Sequence, residues 1–209
     1  MHTESTNVKD KRIIRGESTR HELIQAAKRL FGEQGYAETS TDEIVLRAGV
    51  TKGALYHHFA GKEELFRAVF EQVEQEVSDQ ACTAFLAPDS RDSLVKGCGL
   101  WVDAHLDPSV RRIVMQDARA VLGWDDVRSI ENRFGAVALR GALRKAMHAG
   151  VVERQPLRPL SLMLMGALGE ACHYIVDAED PNSARAEVGA LITQLLSAFE
   201  SPDPVADGR

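Results

Sequence analysis

The segment from Thr39 to Phe59, TSTDEIVLRAGVTKGALYHHF, predicts two short helices joined by a glycine turn. Ser40, followed three residues later by Glu43, forms a capping box, the usual start of a helix. Gly49 stands where a helix ends in the left-handed conformation, which glycine adopts at little cost. The segment therefore predicts a helix-turn-helix, and the alternative is an ordinary helical hairpin at the surface.

The second helix of this segment carries side chains suited to DNA. Thr51 can cap it, and Leu55 and Phe59, four residues apart, form its inward stripe. A small residue in the first turn lets the backbone approach a base edge, and the donors beside it suit phosphate oxygens. The predicted DNA contacts are Ser40, Thr41, Thr51, Lys52, Gly53, Tyr56, His57 and Lys62.

Two flanking segments support this prediction. Residues 20–36 form an amphipathic helix, whose apolar residues are Leu23, Ala27, Leu30 and Phe31, so they supply a third helix for a small core. Gly61 to Leu65 begins a fourth helix, whose first backbone amides and Lys62 would lie near a phosphate if the second helix enters a groove.

These motifs resemble those of the tetracycline-repressor (TetR) family of bacterial transcription regulators. The resemblance covers about the first third of the chain: AAKRLFGEQGY at residues 26–36, TSTDEIVLRAGVTKGALYHHF, and the GKEELF that follows. Val45 and Leu46 depart from the family pattern, which is usually alanine and then a polar residue. The resemblance implies an all-α protein, in which the helix-turn-helix domain precedes a larger helical domain, with about nine helices in all.

The charge of the chain is unevenly distributed. The net charge is −6, but residues 1–62 contain ten Lys or Arg against eight acidic residues, so the remainder is strongly acidic. This is consistent with one end meeting phosphate, although the excess is small. An architectural protein that coats DNA would need abundant Lys and Arg, so the acidic remainder argues against that class.

The chain divides into four predicted parts. Residues 1–16 form a flexible basic arm, 17–62 the DNA-binding domain, with the motif at about 39–58, 63–200 a helical ligand-binding and dimerisation domain, and 201–209 a flexible tail. The arm contains Lys9, Lys11, Arg12 and Arg15, which could follow DNA; a disordered solubilising tail is the alternative.

The compartment follows from what the sequence lacks. No secretory segment is evident, and no apolar run reaches the roughly 20 residues of a membrane span, so we expect a cytoplasmic protein without a membrane partner. The cysteines, Cys82, Cys98 and Cys172, have no metal-binding spacing, which suggests reduced and buried thiols. A redox switch is the alternative.

Proline and glycine mark the breaks of the second domain. They predict helices near 62–80, 90–106, 108–121, 125–149, 159–178 and 183–200. The helix over 159–178 is apolar on nearly all sides at Leu160 to Leu168, so it needs cover on two faces, and a second copy of the chain would supply one of them. The TetR resemblance implies that this helix and the last one form the dimer interface, and a monomer with a fully internal helix is the alternative. The predicted interface residues are Leu162, Met165, Gly166, Gly169, Leu191, Leu195 and Phe199.

The resemblance also implies a pocket for a small-molecule effector. Large aromatic side chains with a few polar groups are typical of such a cavity, as they are of any core. The candidates are Trp101, His105, Met115, Asp117, Trp124, Phe134, Glu170 and His173. Residues 116–124, QDARAVLGW, resemble a recurrent C-terminal subtype of the family and indicate no ligand.

The sequence thus predicts a regulator with no enzymatic activity, cofactor or metal. The expected function is a homodimeric repressor that an effector releases from a pseudo-palindromic DNA operator; an activator of the same fold is the first alternative. A helical-bundle metalloenzyme is the second, because Glu170 and His173 have the Glu-x-x-His spacing of half a di-iron site. The matching half is not evident, and the chain has no P-loop or GxSxG motif.

Overall fold

The protein is all-α throughout the part described by the structure, a computed structural model that covers residues 4–87 and 91–199, with side chains from residue 16 onward. The helices are α1 (Glu4–Gln34), α2 (Thr41–Ala48), α3 (Lys52–His58), α4 (Lys62–Phe85), α5 (Arg91–Leu106), α6 (Pro108–Arg111), a π-helical turn (Arg112–Asp117), α7 (Ala118–Leu122), α8 (Trp124–Arg133), α9 (Gly135–His148), α10 (Leu157–Asp177) and α11 (Pro181–Ser197). The predicted tail, 201–209, lies outside the described residues.

The helix-turn-helix has the helix cap and the glycine turn that the sequence predicts. The Ser40 side chain accepts from the Glu43 amide at 3.2 Å, and the Glu43 carboxylate accepts from the Ser40 amide at 2.8 Å. Gly49 has φ of 67°, and the amide of Val50 donates to the carbonyl of Val45, which closes a Schellman turn. The predicted capping box and glycine turn are therefore confirmed.

The chain forms two compact units whose division differs from the predicted one. The first contains residues 1–73 and 108–127, and the second contains residues 74–107 and 128–209. The sequence placed the division at residue 62 and assigned 108–127 to the second domain. The difference arises because α4 continues through the predicted boundary, and because α6 and the π-helical turn pack against α1.

The core of the first unit joins α1 and the two helices of the motif to α4. Leu23, Ala27, Ile44, Leu55 and Leu65 are all fully buried. An aromatic cluster adjoins them, in which the rings of Phe31, Tyr36 and Phe66 have centroids 5.2–5.6 Å apart. The segment over 108–127 contributes Ile113, Val114, Ala118, Leu122 and Val127 to the buried side chains.

Helix α1 begins earlier than the sequence indicated. Residues 4–16 belong to α1, whereas the sequence predicted a flexible arm over 1–16 and a helix from Arg20. The side chains of Lys9, Lys11, Arg12 and Arg15 lie outside the described ones, so contact between these cations and DNA stays a prediction.

The second unit is built from α5, α9, α10 and α11, which pack on one another. The single helix predicted over 125–149 is divided at Phe134, where α8 ends and α9 begins. The predicted apolar rhythm fails after this break: Val137 is 51% exposed, and Leu139 and Leu143 are buried instead. Gly150, with φ of 75°, ends the segment as predicted, because the Val151 amide donates to the Ala146 carbonyl.

Helix α10 corrects the expectation that no segment is long enough to cross a membrane. Its 21 residues, Leu157–Asp177, meet that criterion by length and composition, with a mean hydropathy of 1.3, and it is the one helix of the described residues to do so. Core helices of soluble proteins meet the same criterion. Leu160, Leu164, Leu168, Cys172 and Ile175 are its buried stripe.

Two glycines of the second unit give a matched test of this packing. A Cβ on Gly97 would lie 2.0 Å from a ring carbon of Phe85, whereas a Cβ on Gly141 would meet nothing within 4 Å. We expect Gly97→Ala to lower the free energy of unfolding by about 1–3 kcal/mol, and Gly141→Ala to raise it by about 0.5–1 kcal/mol. Denaturant titration measures both, and equal effects of the two alanines would contradict the described packing.

Candidate DNA-binding surface and effector site

Helix α3 presents one exposed face to solvent. Leu55 is fully buried and Phe59 is 2% exposed, so the opposite side of the helix points outward. Lys52, Gly53, Tyr56 and His57 are all exposed on that side. The structure therefore brings together four of the predicted DNA contacts. Beside them, His58 is half-buried, and burial, followed by His57 and Arg20, lowers its pKa.

Three further members of the predicted DNA set lie at helix starts. The Ser40 and Thr51 hydroxyls accept the Glu43 and Ala54 amides at 3.2 Å each, so both residues act as helix caps. Thr41 is the first residue of α2 and is half-buried. These groups lie at positive helix ends, where an anion is favoured.

Gly53 has no reason within the protein to be glycine. Its φ is not positive, and the nearest atom to a Cβ built there is Thr51 Oγ1 at 3.8 Å, an ordinary contact. Glycine inside a helix costs about 1 kcal/mol relative to alanine. Internal packing therefore leaves the residue unexplained, and a close approach from outside is the physical reason that remains.

Lys52 is held only loosely. Its ammonium lies 2.8 Å from Asp42 Oδ1, and both side chains are more than half exposed. The hydrogen bond and charge of Asp42 raise the pKa of Lys52, so the side chain stays protonated. Exposed ion pairs contribute little to stability, so this ammonium can exchange Asp42 for a phosphate oxygen at little cost.

Lys62 has a role that the sequence did not predict. Its ammonium donates to the carbonyl oxygens of Tyr36 and Thr39 at 2.9 Å each, and it lies 4.1 Å from the centroid of the Tyr36 ring. The sequence assigned this side chain to phosphate. In the structure, two of the three N–H donors of Lys62 bind carbonyl groups of the connection between α1 and α2. This connection sets where α2, the first helix of the motif, begins.

The predicted ligand-pocket residues are divided between the two units. Met115, Asp117 and Trp124 belong to the first unit. Asp117 accepts the Tyr36 amide at 2.8 Å, and Trp124 is 54% exposed, with the Arg119 guanidinium 4.6 Å from its ring centroid. Asp117 therefore holds the end of α1, which is a structural role.

The second unit contains the other five candidates: Trp101, His105, Phe134, Glu170 and His173. Trp101 and His105 are buried, with ring centroids 3.8 Å apart. Phe134 and His173 are half-buried, and Glu170 is exposed. The described residues contain no group of three or more His, Cys, Asp or Glu that could hold a metal ion.

Two buried polar residues of α4, one of them beside His105, were not predicted from the sequence. Glu74 is 1% exposed and its Oε1 lies 3.9 Å from His105 Nε2; Ser78, one turn further along α4, is 3% exposed. Glu74 Oε1, Ser78 Oγ and Trp101 Nε1 make no hydrogen bond with the described residues. The sequence does show that Glu74 and Ser78 interrupt the apolar stripe of Phe70, Val73, Val77 and Ala81, which could have identified them.

An apolar groove lies between α10 and α11. Its volume is about 470 Å³, and its lining includes Ala167, Ala171, Leu191 and Leu195. Leu191 is 61% exposed and Met163, on α10, is 73% exposed.

The predicted dimer residues do not all belong to this surface. Gly166, Leu191 and Leu195 are exposed, and Leu162, Gly169 and Phe199 are half-buried. Met165 points elsewhere, since its Cε lies 2.9 Å from a Cβ built on Gly135. The outward methionine is Met163, which the sequence analysis omitted.

Two of the three cysteines are buried, as the sequence predicts. Cys98 and Cys172 are buried, and burial raises the pKa of each to about 12, so neither is ionised near neutral pH. Cys82 is half-buried, and its pKa is raised by burial and by Asp79.

Two family models match this chain. Residues 23–69 match the bacterial regulatory proteins of the tetR family, and residues 91–199, about half of the chain, match the tetracyclin repressor-like C-terminal domain. The protein is a TetR-family transcriptional regulator. The sequence-based identification and the predicted all-α, helix-turn-helix fold are confirmed.

Similar proteins include solved and curated members of the family. A TetR-family transcriptional regulator from Pectobacterium atrosepticum is 31% identical, with a TM-score of 0.76 over 90% of this chain and 97% of that one. The transposon Tn10 TetC protein of Escherichia coli is 32% identical over 56% of this chain and 59% of its own length. The regulator TtgR of Pseudomonas putida is 39% identical over 46% of this chain and 48% of its own length. This TetR-family chain thus spans about half the length of these curated relatives.

Substitution of two lysines in the first unit distinguishes a side chain that stabilises the fold from one that only lies at the surface. Lys62→Met removes both bonds to the Tyr36 and Thr39 carbonyls, so we expect it to lower the free energy of unfolding by about 1–3 kcal/mol. Lys52→Met loses only an exposed ion pair and should leave the free energy of unfolding nearly unchanged. Thermal and urea unfolding measure both, and a Lys62→Met protein as stable as the parent would contradict the structural role.

Proposed function

We propose that this TetR-family regulator is a cytoplasmic homodimeric repressor, which binds a pseudo-palindromic operator through α3 and is released from it by a small-molecule effector. The observation that carries the DNA contact is the exposed face of α3, where Gly53 is left unexplained by internal packing. In this proposal the backbone at Gly53 approaches a base edge, while Lys52, Tyr56 and His57 contact the DNA backbone.

The dimer proposal rests on the groove between α10 and α11. Met163, Leu191 and Leu195 expose large apolar side chains on these two helices. Contiguous exposed apolar surface is rare on a soluble monomer and commonly marks an interface. Two copies related by a two-fold axis would cover one another with the same patch, and the dimer would carry two α3 helices, one for each half of a pseudo-palindrome.

The effector proposal rests on buried polar groups without partners. Leaving a buried donor or acceptor unpaired costs about 1–3 kcal/mol, so three such atoms around Trp101 need a physical reason. A ligand that pairs them would be one. Helix α4 carries Glu74 and Ser78 and also begins at Lys62, so one continuous helix joins the proposed site to the motif.

The DNA contact is tested on an operator selected from random DNA with the purified protein. Each phosphate contact contributes about one to the salt slope, so Lys52→Met should reduce the slope by about two for a dimer. Gly53→Ala should weaken the selected operator more than unrelated DNA, because its Cβ blocks a base edge. Fluorescence anisotropy over a range of salt concentrations measures both effects.

The matched control is Lys96→Met, which removes an exposed lysine of α5 in the second unit. It should keep the parent salt slope. If Lys52→Met also keeps that slope, α3 does not dock as proposed. A reporter gene under the operator distinguishes repression, the expected outcome, from activation.

Dimerisation is tested by placing a charge in the groove. Leu191→Glu would bury an unpaired carboxylate in the interface and should weaken association by at least about 3 kcal/mol, more than a hundredfold. The control is Val137→Glu, at an apolar residue of α9 that is also more than half exposed. Analytical ultracentrifugation should show monomers for the first variant and dimers for the second; an undiminished Leu191→Glu dimer would contradict the interface.

A further inference from the structure

We infer that the polar cluster of Glu74, Ser78, Trp101 and His105 binds a small aromatic amine, whose nitrogen donates to Glu74 and whose ring packs beside Trp101. This inference deepens the proposed function by naming the chemical class of the effector. It rests on the proposal that an effector binds the second unit, to which all four residues belong.

The cluster is formed by one face of each of two helices. Glu74 and Ser78 are four residues apart on α4, and Trp101 and His105 are four residues apart on α5, so each pair lies on one face of its helix. All four side chains are more than nine-tenths buried. Buried polar groups are nearly always hydrogen-bonded, yet three atoms of this cluster have no partner among the described residues.

The histidine determines what the ligand must offer. His105 Nδ1 lies 2.9 Å from the Trp101 carbonyl oxygen, which can only accept, so Nδ1 carries the hydrogen. In the neutral ring Nε2 is then an acceptor. It lies 3.9 Å from Glu74 Oε1, which is also an acceptor and is beyond hydrogen-bond distance. Two acceptors that face one another favour a ligand group with at least two donors.

An amine satisfies this arrangement better than a hydroxyl. A nitrogen placed about 2.9 Å from both acceptors is at ordinary hydrogen-bond distance from each. An ammonium group can donate to Glu74 and to His105 with separate hydrogens, and it places a positive charge against the carboxylate. A hydroxyl has one hydrogen and can satisfy only one of the two acceptors.

The apolar part of the ligand is defined by the surroundings of Trp101. The Trp101 and His105 ring centroids lie 3.8 Å apart with the ring planes tilted by 34°, and Trp101 Nε1 and Met165 Cε both lie within 3.4 Å of a Cβ built on Gly135. An indole and a thioether are favourable neighbours for an aromatic ring. Trp101 Nε1 and Ser78 Oγ remain for a second polar substituent on the ligand.

The tryptophan content of the chain makes this site directly observable. The chain has two tryptophans, so Trp124→Phe leaves Trp101 as the sole reporter. The probes are 2-phenylethylamine and 2-phenylethanol, which have nearly the same shape and differ in the donor group. We expect the amine to change Trp101 emission at a concentration at least about tenfold below that of the alcohol.

The matched variants locate the preference. In the Trp124→Phe background, Glu74→Gln should bring the two half-saturating concentrations to within about threefold. Glu63→Gln, which changes an exposed carboxylate on the same helix, should retain the preference for the amine. A melting curve checks that each variant is folded. If Glu74→Gln does not fold, the comparison of the amine with the alcohol on the Trp124→Phe protein still tests the inference, because that protein keeps Glu74.

Two results would overturn the inference. If the alcohol binds as tightly as the amine, or if the amine leaves Trp101 emission unchanged, the cluster does not bind an amine as inferred. Operator affinity, measured in parallel, separates this failure from that of the proposed function. Binding of the amine without release of DNA would refute the effector switch and retain the amine site. Release of DNA by other compounds, but not by the amine, would refute the amine site and retain the effector switch.

Discussion

The Lys62 ammonium is the contact on which the geometry of the helix-turn-helix depends. The chain between α1 and α2 turns at residues 36–38 and leads into Thr39, which is 1% exposed, so its carbonyl groups need donors there. Lys62 supplies donors to two of them from the first turn of α4. Because the same ammonium also lies over the Tyr36 ring, it joins the aromatic core to the start of α2. The orientation of α2, and hence of α3, therefore depends on where α4 begins.

If an effector binds as proposed, this dependence gives α4 a physical means of passing the effect of binding to the helix-turn-helix. Glu74 follows Lys62 by about 18 Å along the helix axis, at 1.5 Å per residue. Ligand binding at Glu74 that shifts or rotates α4 would act on the α1–α2 connection through unbroken helical hydrogen bonds. A coupling of roughly 1–3 kcal/mol is typical of such linkage, and it must be reciprocal, so DNA would weaken effector binding by the same factor.

The sequence predicted those features that are determined by neighbouring residues. The Ser40–Glu43 capping box, the Gly49 turn and the buried Leu55 and Phe59 follow from local rules, and the family resemblance extended them to the all-α fold. Features set by distant residues were not predictable in this way. Nothing near Lys62 in the sequence indicates that its partners are Tyr36 and Thr39, more than twenty residues earlier. Asp117 is predicted as a ligand contact from its residue type, and the sequence does not indicate that its carboxylate accepts the Tyr36 amide, 81 residues earlier in the chain.

The candidate effector site was likewise only partly predictable, because residues distant in the sequence form it. Trp101 and His105 could be proposed from residue type, but Met115 and Trp124, chosen on the same ground, belong to the other unit. Glu74 and Ser78 look like ordinary polar residues of a helix until α5 is packed beside them. The helix break at Phe134 also depends on packing: Gly135 lies where a side chain would collide with Met165, a contact between α9 and α10.

The π-helical turn over Arg112–Asp117 constrains how this segment can change in length. A π-helical turn contains one residue more than the α-helical turn it replaces. Loss of that extra residue would restore a regular α-helical turn and leave the residues after it facing nearly the same way. Ala118 and Leu122 would then stay in the core of the first unit. A single-residue deletion should therefore be better tolerated between Arg112 and Asp117 than in a regular α-helix, where it would rotate everything after it by about 100°.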